Sequence, residues 1–135
     1  MPSSSWALQQ AIYATLAADA ALIALIGPPR LYDDVPPGAQ FPYLTLGQSI
    51  TRDWSTSSER GDEHTLTLHV WSRAGGRREV HEIMGVVKTV LHDRALALSG
   101  HRLVNLRHDR SESSREPDGK TYHGLVRLRA VTEPI

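Results

Sequence analysis

The run His64–Asp93, HTLTLHVWSRAGGRREVHEIMGVVKTVLHD, carries two different hydrophobic periods back to back and limits the chain's possible folds more than any other stretch. From His64 to Ser72, Leu66, Leu68 and Val70 alternate with Thr65, Thr67, His69 and Trp71, the period of a half-buried strand. Past Gly75-Gly76, Val80, Ile83, Met84, Val87 and Leu91 recur at helical spacing, with Arg77, Arg78, Glu79, Glu82, Lys88 and Asp93 mostly pointing elsewhere. A strand, a short joint and an amphipathic helix over Arg77–His92 that folds back across it predict a sheet with a helix on one face.

The flanking segments extend that unit. Ser3, Ser4 and Ser5 offer N-caps for a helix through Trp6, Leu8, Ile12, Leu16, Leu22, Ile23 and Ile26, with Asp19 as a kink or restart and Gly27-Pro28-Pro29 as the stop. Arg30–Val35 reads as a short edge strand, and Pro36-Pro37-Gly38 as a turn. Tyr43–Ile50 reads as a central strand with Leu44, Leu46 and Ile50 on one face. Thr51–Asp62 is polar and aperiodic and reads as a long loop. Its Trp54 reads as folded down onto a neighbouring element, with contact to a partner as the competing reading. Ala95–Ser99 finishes or follows the helix.

In His101–Ser113, Leu103, Asn105 and Arg107 oppose Val104, Leu106 and His108. In Thr121–Val131, Tyr122, Gly124, Val126, Leu128 and Ala130 oppose His123, Leu125, Arg127 and Arg129. With Glu116-Pro117-Asp118-Gly119 as the turn these form a long hairpin, and Glu133-Pro134-Ile135 a frayed tail. The expected fold is α+β, a mostly antiparallel sheet in the order α-β-β-β-α-β-β, with residues 1–135 as one domain. The expected core includes Leu66, Leu68, Val70, Ile83, Val87, Leu91, Val126 and Leu128.

The chemistry is sparse. Fifteen basic and fifteen acidic residues cancel, so no overall field draws in nucleic acid or anionic lipid. Without cysteine there is no disulfide framework, thiolate metal site or cysteine nucleophile. The start lacks a basic segment and is interrupted by Gln9, Gln10 and Asp19, so it reads as neither signal peptide nor membrane span, and the chain as soluble and intracellular. There is no G-x-S-x-G elbow, H-E-x-x-H helix, Walker loop or dinucleotide glycine fingerprint. His81 and His92 are too far apart on one helix to chelate together. No catalytic residue, metal site or cofactor is expected. Gly75–Arg78 before the helix could hold an anion, although the glycines suffice as a turn. His101, Arg102, Arg107, His108, Arg110 and Arg115, with Arg127 and Arg129, make the last two strands basic without interleaved aromatics. A small nucleic-acid-binding module using Gly75–Arg78 and this hairpin is therefore the rival functional reading.

The phrases SWALQQAIYATL at Ser5–Leu16, RLYDDVPPG at Arg30–Gly38 and FPYLTL at Phe41–Leu46 are spread along the chain with HTLTLHVWSR at His64–Arg73, the GGRREV helix start and the DGKTYHGLVRLRAVTEP close. In these the chain resembles the tail-terminator, or tail-completion, proteins of long-tailed phages and gene transfer agents. The resemblance implies a small α+β subunit, not an enzyme, that forms a homo-hexameric ring on the head-proximal end of a tail tube. Such a ring stops growth of the tube protein, docks the head-tail connector (stopper) protein and lets DNA pass its lumen without specific binding. It implies no cofactor and no membrane, and a place in the particle tail after assembly in the host cytoplasm. A closed ring needs two different complementary patches per subunit. The candidates are the Thr51–Asp62 loop, with Arg52, Asp53 and Trp54, and the Ser111–Lys120 hairpin tip, with Glu116 and Asp118.

Overall fold

The computed structural model describes residues 3–27 and 30–135; Pro28 and Pro29, expected in the first helix stop, lie outside the described residues. Along the chain the elements are α1 (Ser4–Ala17), α2 (Ala20–Ile26), β1 (Leu31–Tyr32), β2 (Tyr43–Asp53), β3 (Asp62–Ser72), α3 (Arg78–Leu91), β4 (Ala97–Leu98), β5 (His101–Arg115) and β6 (Tyr122–Pro134). The strands form one sheet in the order β1-β2-β3-β6-β5-β4, antiparallel except where β1 meets β2. This is the expected α+β architecture, with the first helix divided and one short strand added.

The division falls at Asp19. Ser3 caps α1 by accepting the Trp6 N–H at 3.2 Å, and Asp19 caps α2 by accepting the Leu22 N–H at 2.9 Å. The two helices meet at 75°, and no single helix among the described residues is long and apolar enough to cross a membrane. Gly27, at φ +75°, closes α2 in the left-handed region that glycine tolerates.

The core lies between the helices and one face of the sheet. In β3 and β6 the pairs Leu66–Leu128, Leu68–Val126 and Val70–Gly124 face α3, whose Val80, Ile83, Met84, Val87, Val90 and Leu91 are buried against them. Every residue expected in the core is buried. Gly124 permits the close approach of α3, because a Cβ there would sit 2.7 Å from Val80 Cγ1 and 2.8 Å from Met84 Sδ.

Several boundaries differ from the sequence reading, for local reasons. Asp33-Asp34 bends the chain, so β1 is only two residues long instead of spanning Arg30–Val35. β2 lies next to the edge instead of at the centre, and it runs on through Thr51, Arg52 and Asp53, which reduces the expected loop to residues 54–61. Between Leu46 and Ser49 it carries one residue more than β3, and this bulge turns Ile50 to the face opposite Leu44 and Leu46. Ile50 is accordingly 46% exposed. Ala97-Leu98 forms the unforeseen β4, folded back on β5 at Gly100. At the chain's end Glu133 and Pro134 are not frayed; they pair with Arg102 and His101.

Two further bulges, at Val104 and Asp109, interrupt the alternation of β5. Leu103 and Leu106 thereby share the core face, whereas Asn105, Arg107 and Arg110 share the other. An expectation of unbroken alternation could not produce that grouping.

Candidate functional site

The sheet face turned away from the helices gathers most of the remaining chemistry. Its rows, read across β2, β3, β6 and β5, are Tyr43–Trp71–His123–Ser114 and Thr45–His69–Leu125–Glu112. Thr67–Arg127–Arg110, Ile50–Thr65–Arg129–Arg107 and Arg52–Glu63–Val131–Asn105 follow in order. One end is aromatic and rich in histidine, and the other is rich in arginine.

At the aromatic end the Trp71 and His123 rings stack within 1° of parallel at 4.1 Å, and the Trp71 indole N–H donates to Thr45 Oγ1 at 3.1 Å. His69 Nδ1 lies 2.6 Å from His123 Nε2, and His123 Nδ1 lies 3.2 Å from Glu116 Oε1. With both rings neutral, the network closes when His123 donates to the carboxylate and accepts from His69. Burial, and then Coulombic repulsion from His123, push the His69 pKa down, which favours a neutral His69 ring. Gly47 makes room for the ring, because a Cβ there would lie 2.5 Å from His69 Nε2. The effect is to tie the hairpin turn to the sheet.

The arginine end contains two cross-strand pairs of like charge, Arg107 opposite Arg129 and Arg110 opposite Arg127. Their acidic partners are Asp93 at 3.4 Å from Arg107, Glu112 at 3.5 Å from Arg110 and Glu63 at 2.5 Å from Arg129. Arg127 Nε is buried without a hydrogen-bond partner. On the same face Arg102 pairs with Glu133.

The residues expected to contact neighbours fall into two groups at opposite ends of the sheet. At one end Arg52 and Asp53 are exposed, and Asp53 Oδ1 accepts the Ser55 N–H at 3.0 Å and its hydroxyl at 2.6 Å. Those bonds lower the Asp53 pKa. Trp54 is 53% exposed, with the Arg129 guanidinium 5.2 Å from its ring centre, so it meets a neighbouring element and still presents an apolar surface. Its loop is held by its own backbone, through Trp54 N–H to Gly61 O and Thr56 N–H to Glu59 O.

Glu116 and Asp118 occupy the turn at the other end; Ser111–Arg115, expected in that tip, belong to β5. Asp118 accepts the Thr121 hydroxyl at 2.6 Å and the N–H groups of Lys120 and Thr121, and these bonds pull its pKa down to about 2. β3, which spans Asp62–Ser72, separates the two groups by roughly 33 Å at ~3.3 Å per residue. A third surface, unforeseen from sequence, is a groove of about 630 Å³ lined by Trp6 and Tyr13 of α1 together with Leu31, Tyr32, Asp33 and Asp34. The signal for it was the i, i+7 spacing of Trp6 and Tyr13; the helix reading took in Trp6 with the core residues and passed over Tyr13.

Gly75–Arg78 is a turn with its own internal partners. Gly75 has φ +86°, and Glu79 stands in the first turn of α3 with its carboxylate accepting the Ser72 hydroxyl at 2.7 Å. That carboxylate already occupies the position where a helix N-terminus favours an anion. Arg78 pairs with Glu82 at 2.7 Å, and Arg77 lies over the Tyr122 ring at 5.7 Å.

Of the two helix histidines, His81 Nε2 is 3.4 Å from Ser113 Oγ, whereas His92 Nδ1 accepts the His108 N–H at 3.0 Å and so helps cover the edge of β5. Among the described residues no group of three or more histidine, aspartate or glutamate side chains is placed to share a metal ion.

Comparison with known proteins follows the same outline. The family model described as Tail completion protein gp17 matches residues 10–133. The Tail completion protein gp17 of Bacillus phage SPP1 is 29% identical over 91 residues, an alignment that spans 66% of this chain and 66% of the phage protein. A chain in the solved virion of a native gene transfer agent particle superposes with a TM-score of 0.90 at 32% identity, covering 98% of this chain and 99% of that one. A second solved structure, at 14% identity and a TM-score of 0.56, shares the fold alone.

Proposed function

The chain belongs to the Tail completion protein gp17 family, and from that premise we propose that it is the subunit that terminates a tail. Its role is structural, in tail assembly. In this reading six copies close into a ring on the head-proximal end of the tail tube, stop addition of the tube protein and present the surface on which the head-tail connector docks. DNA passes through the ring without sequence-specific recognition, no catalytic step or cofactor is involved, and assembly takes place in the host cytoplasm before the protein resides in the particle tail. The observation that carries the proposal is the near-complete superposition on a subunit of a gene transfer agent virion.

The geometry supports a division of labour within that ring. The Trp54 end and the Glu116–Asp118 turn project from opposite ends of the same strands, so one subunit offers different surfaces to different neighbours. A closed ring stacked between a tube and a connector needs such unlike surfaces. Trp54 is the strongest single contact candidate, since a half-exposed tryptophan beside an arginine can supply about 2 kcal/mol or more at an interface.

Changing Trp54 to alanine tests this. The variant should fold as an isolated chain, because the loop's hydrogen bonds are made by backbone and hydroxyl groups. Electron microscopy of particles assembled with it should show tails of uncontrolled length or tails that fail to join heads. Normal tails from cells lacking this protein would refute the terminator role. An unfolded monomer would instead assign Trp54 to stability.

A further inference from the structure

We propose that the arginine end of the open sheet face, Arg107, Arg110, Arg127 and Arg129, is a contact surface for the phosphate backbone of duplex DNA. The reading rests on the tail-terminator role for its biological setting, but the site is argued from the sheet itself. Like charges directly opposite one another on a sheet are destabilising, and here two such pairs are adjacent, Arg107 with Arg129 and Arg110 with Arg127. Folding alone would favour a different residue in at least one position of each pair. The cost is offset when an anion lies across all four.

The protein supplies only part of that anion. Arg107 and Arg110 are exposed and reach Asp93 and Glu112 at 3.4 and 3.5 Å, which are loose surface contacts of little energy. Arg127 Nε is buried with no acceptor, and only Arg129 has a close carboxylate, Glu63. Across the face, Arg52, Arg102, Arg107, Arg110, Arg127 and Arg129 stand against Glu63, Glu112 and Glu133, with Asp93 reaching Arg107 from beyond the end of α3. The patch is therefore positive although the whole chain is neutral.

Duplex DNA fits this surface better than an acidic protein does. Its charges recur about every 1.7 Å of helix axis, so a compact array of guanidinium forks meets phosphates in any register. The same rows add the hydroxyl of the partly exposed Thr65, which also suits phosphate oxygens. No helix or ribbon projects from the arginine rows into a groove, so contact is to the backbone and carries no sequence preference. An acidic protein would have to match the four positions one by one.

The test is fluorescence anisotropy of a short random-sequence duplex titrated with the full chain over a range of salt concentrations. Wild type should bind at low salt with a log–log salt dependence. In Arg107→Gln/Arg110→Gln, whose positions are exposed and whose melting midpoint should be no lower than wild type, the slope should fall by about 1.8 for two lost phosphate contacts. Arg107→Lys/Arg110→Lys should keep the slope, and Arg77→Gln/Arg78→Gln at the start of α3 should leave binding unchanged.

Absence of low-salt binding by wild type, an unchanged slope in the glutamine variant, or loss confined to the Arg77/Arg78 variant would each overturn the proposal. The two readings fail separately. Normal tails built from a chain that binds no DNA would remove this inference and leave the terminator role, whereas arginine-dependent binding by a chain that never enters a tail would do the reverse.

Discussion

The two faces of the sheet are made by the same strands and obey different rules. On the helix side, Leu66, Leu68, Val70, Val126 and Leu128 meet α3 and are nearly inaccessible. On the other, Trp71, His69, His123 and the arginines are held by stacking, ion pairs and hydrogen bonds; the aromatic cluster is partly buried, whereas Arg107 and Arg110 are exposed. Burial of apolar area stabilises the first face without regard to partners. The second keeps like-charged neighbours and an unsatisfied guanidinium nitrogen, features that folding alone does not reward. The contrast separates residues that hold the subunit together from residues left available to neighbours.

The contrast breaks most readily at Leu68, which is 2% exposed and paired with Val126. Leu68→Ala should cost about 2–5 kcal/mol in denaturant unfolding. Ile50→Thr, on the opposite face, should change stability by no more than about 0.5 kcal/mol. Equal losses from the two would mean that the open face also carries a core. A smaller effect is expected at Gly124, where an added methyl group would collide with Val80 and Met84. Gly124→Ala should cost about 1–3 kcal/mol by pushing α3 off β6, read as a lowered thermal midpoint.

Among the described residues the core face buries one titratable side chain. His64 is 1% exposed, with Nδ1 3.2 Å from Thr51 Oγ1 and Nε2 2.9 Å from Thr132 Oγ1. Burial is the main cause that lowers its pKa from the ordinary value of 6.5, with Asp62 opposing and His101 assisting. Because the folded chain holds this proton less tightly than the unfolded one, its contribution to stability is complete above the ordinary value. It is lost as pH falls from there toward the folded pKa, by at most about 1.4 kcal/mol per pH unit. Unfolding followed from pH 8 to pH 5 should show that slope, and His64→Gln should reduce it. A slope left intact in the variant would shift the effect to His69 on the open face or His108 on β5, whose pKa values are also lowered, chiefly by burial.

How much of this could be read from sequence depended on whether the signal was local. β3, α3 and β6 each announce themselves through an unbroken period, and their core residues followed directly. The cap region Ser3–Ser5 and the break at Asp19 were legible too, because a cap is made within one turn of chain, although Asp19 read as a kink or restart and its capping of α2 came from the structure. The pairing of β3 with β6 joins residues far apart in sequence, so the stacked Trp71, His123 and His69 could not be placed together, although alternation had put each on the outer side of its strand. The bulges at Leu46/Ser49, Val104 and Asp109 were invisible for another reason. An extra residue costs little where a strand face is polar, and no hydrophobic period exists there to reveal the slip. Those slips turn Ile50 outward and bring Arg107 and Arg110 opposite the arginines of β6.

The smallest expected effect tests that last consequence. If Arg107 and Arg129 repel across the strands, Arg107→Glu converts a like-charged pair into an opposite one and should raise stability by about 0.2–1 kcal/mol, despite losing the loose contact with Asp93. The gain should shrink at high salt, because both groups are partly exposed and their interaction is screened. Arg107→Gln should fall between the two, since it removes repulsion without adding attraction. A variant less stable than wild type at low salt would mean that Arg107 is satisfied by Asp93 and that the arginine pair imposes no strain on the fold. If the predicted order of wild type, glutamine and glutamate holds, the open face retains Arg107 at the expense of subunit stability, as a surface kept for an outside partner should.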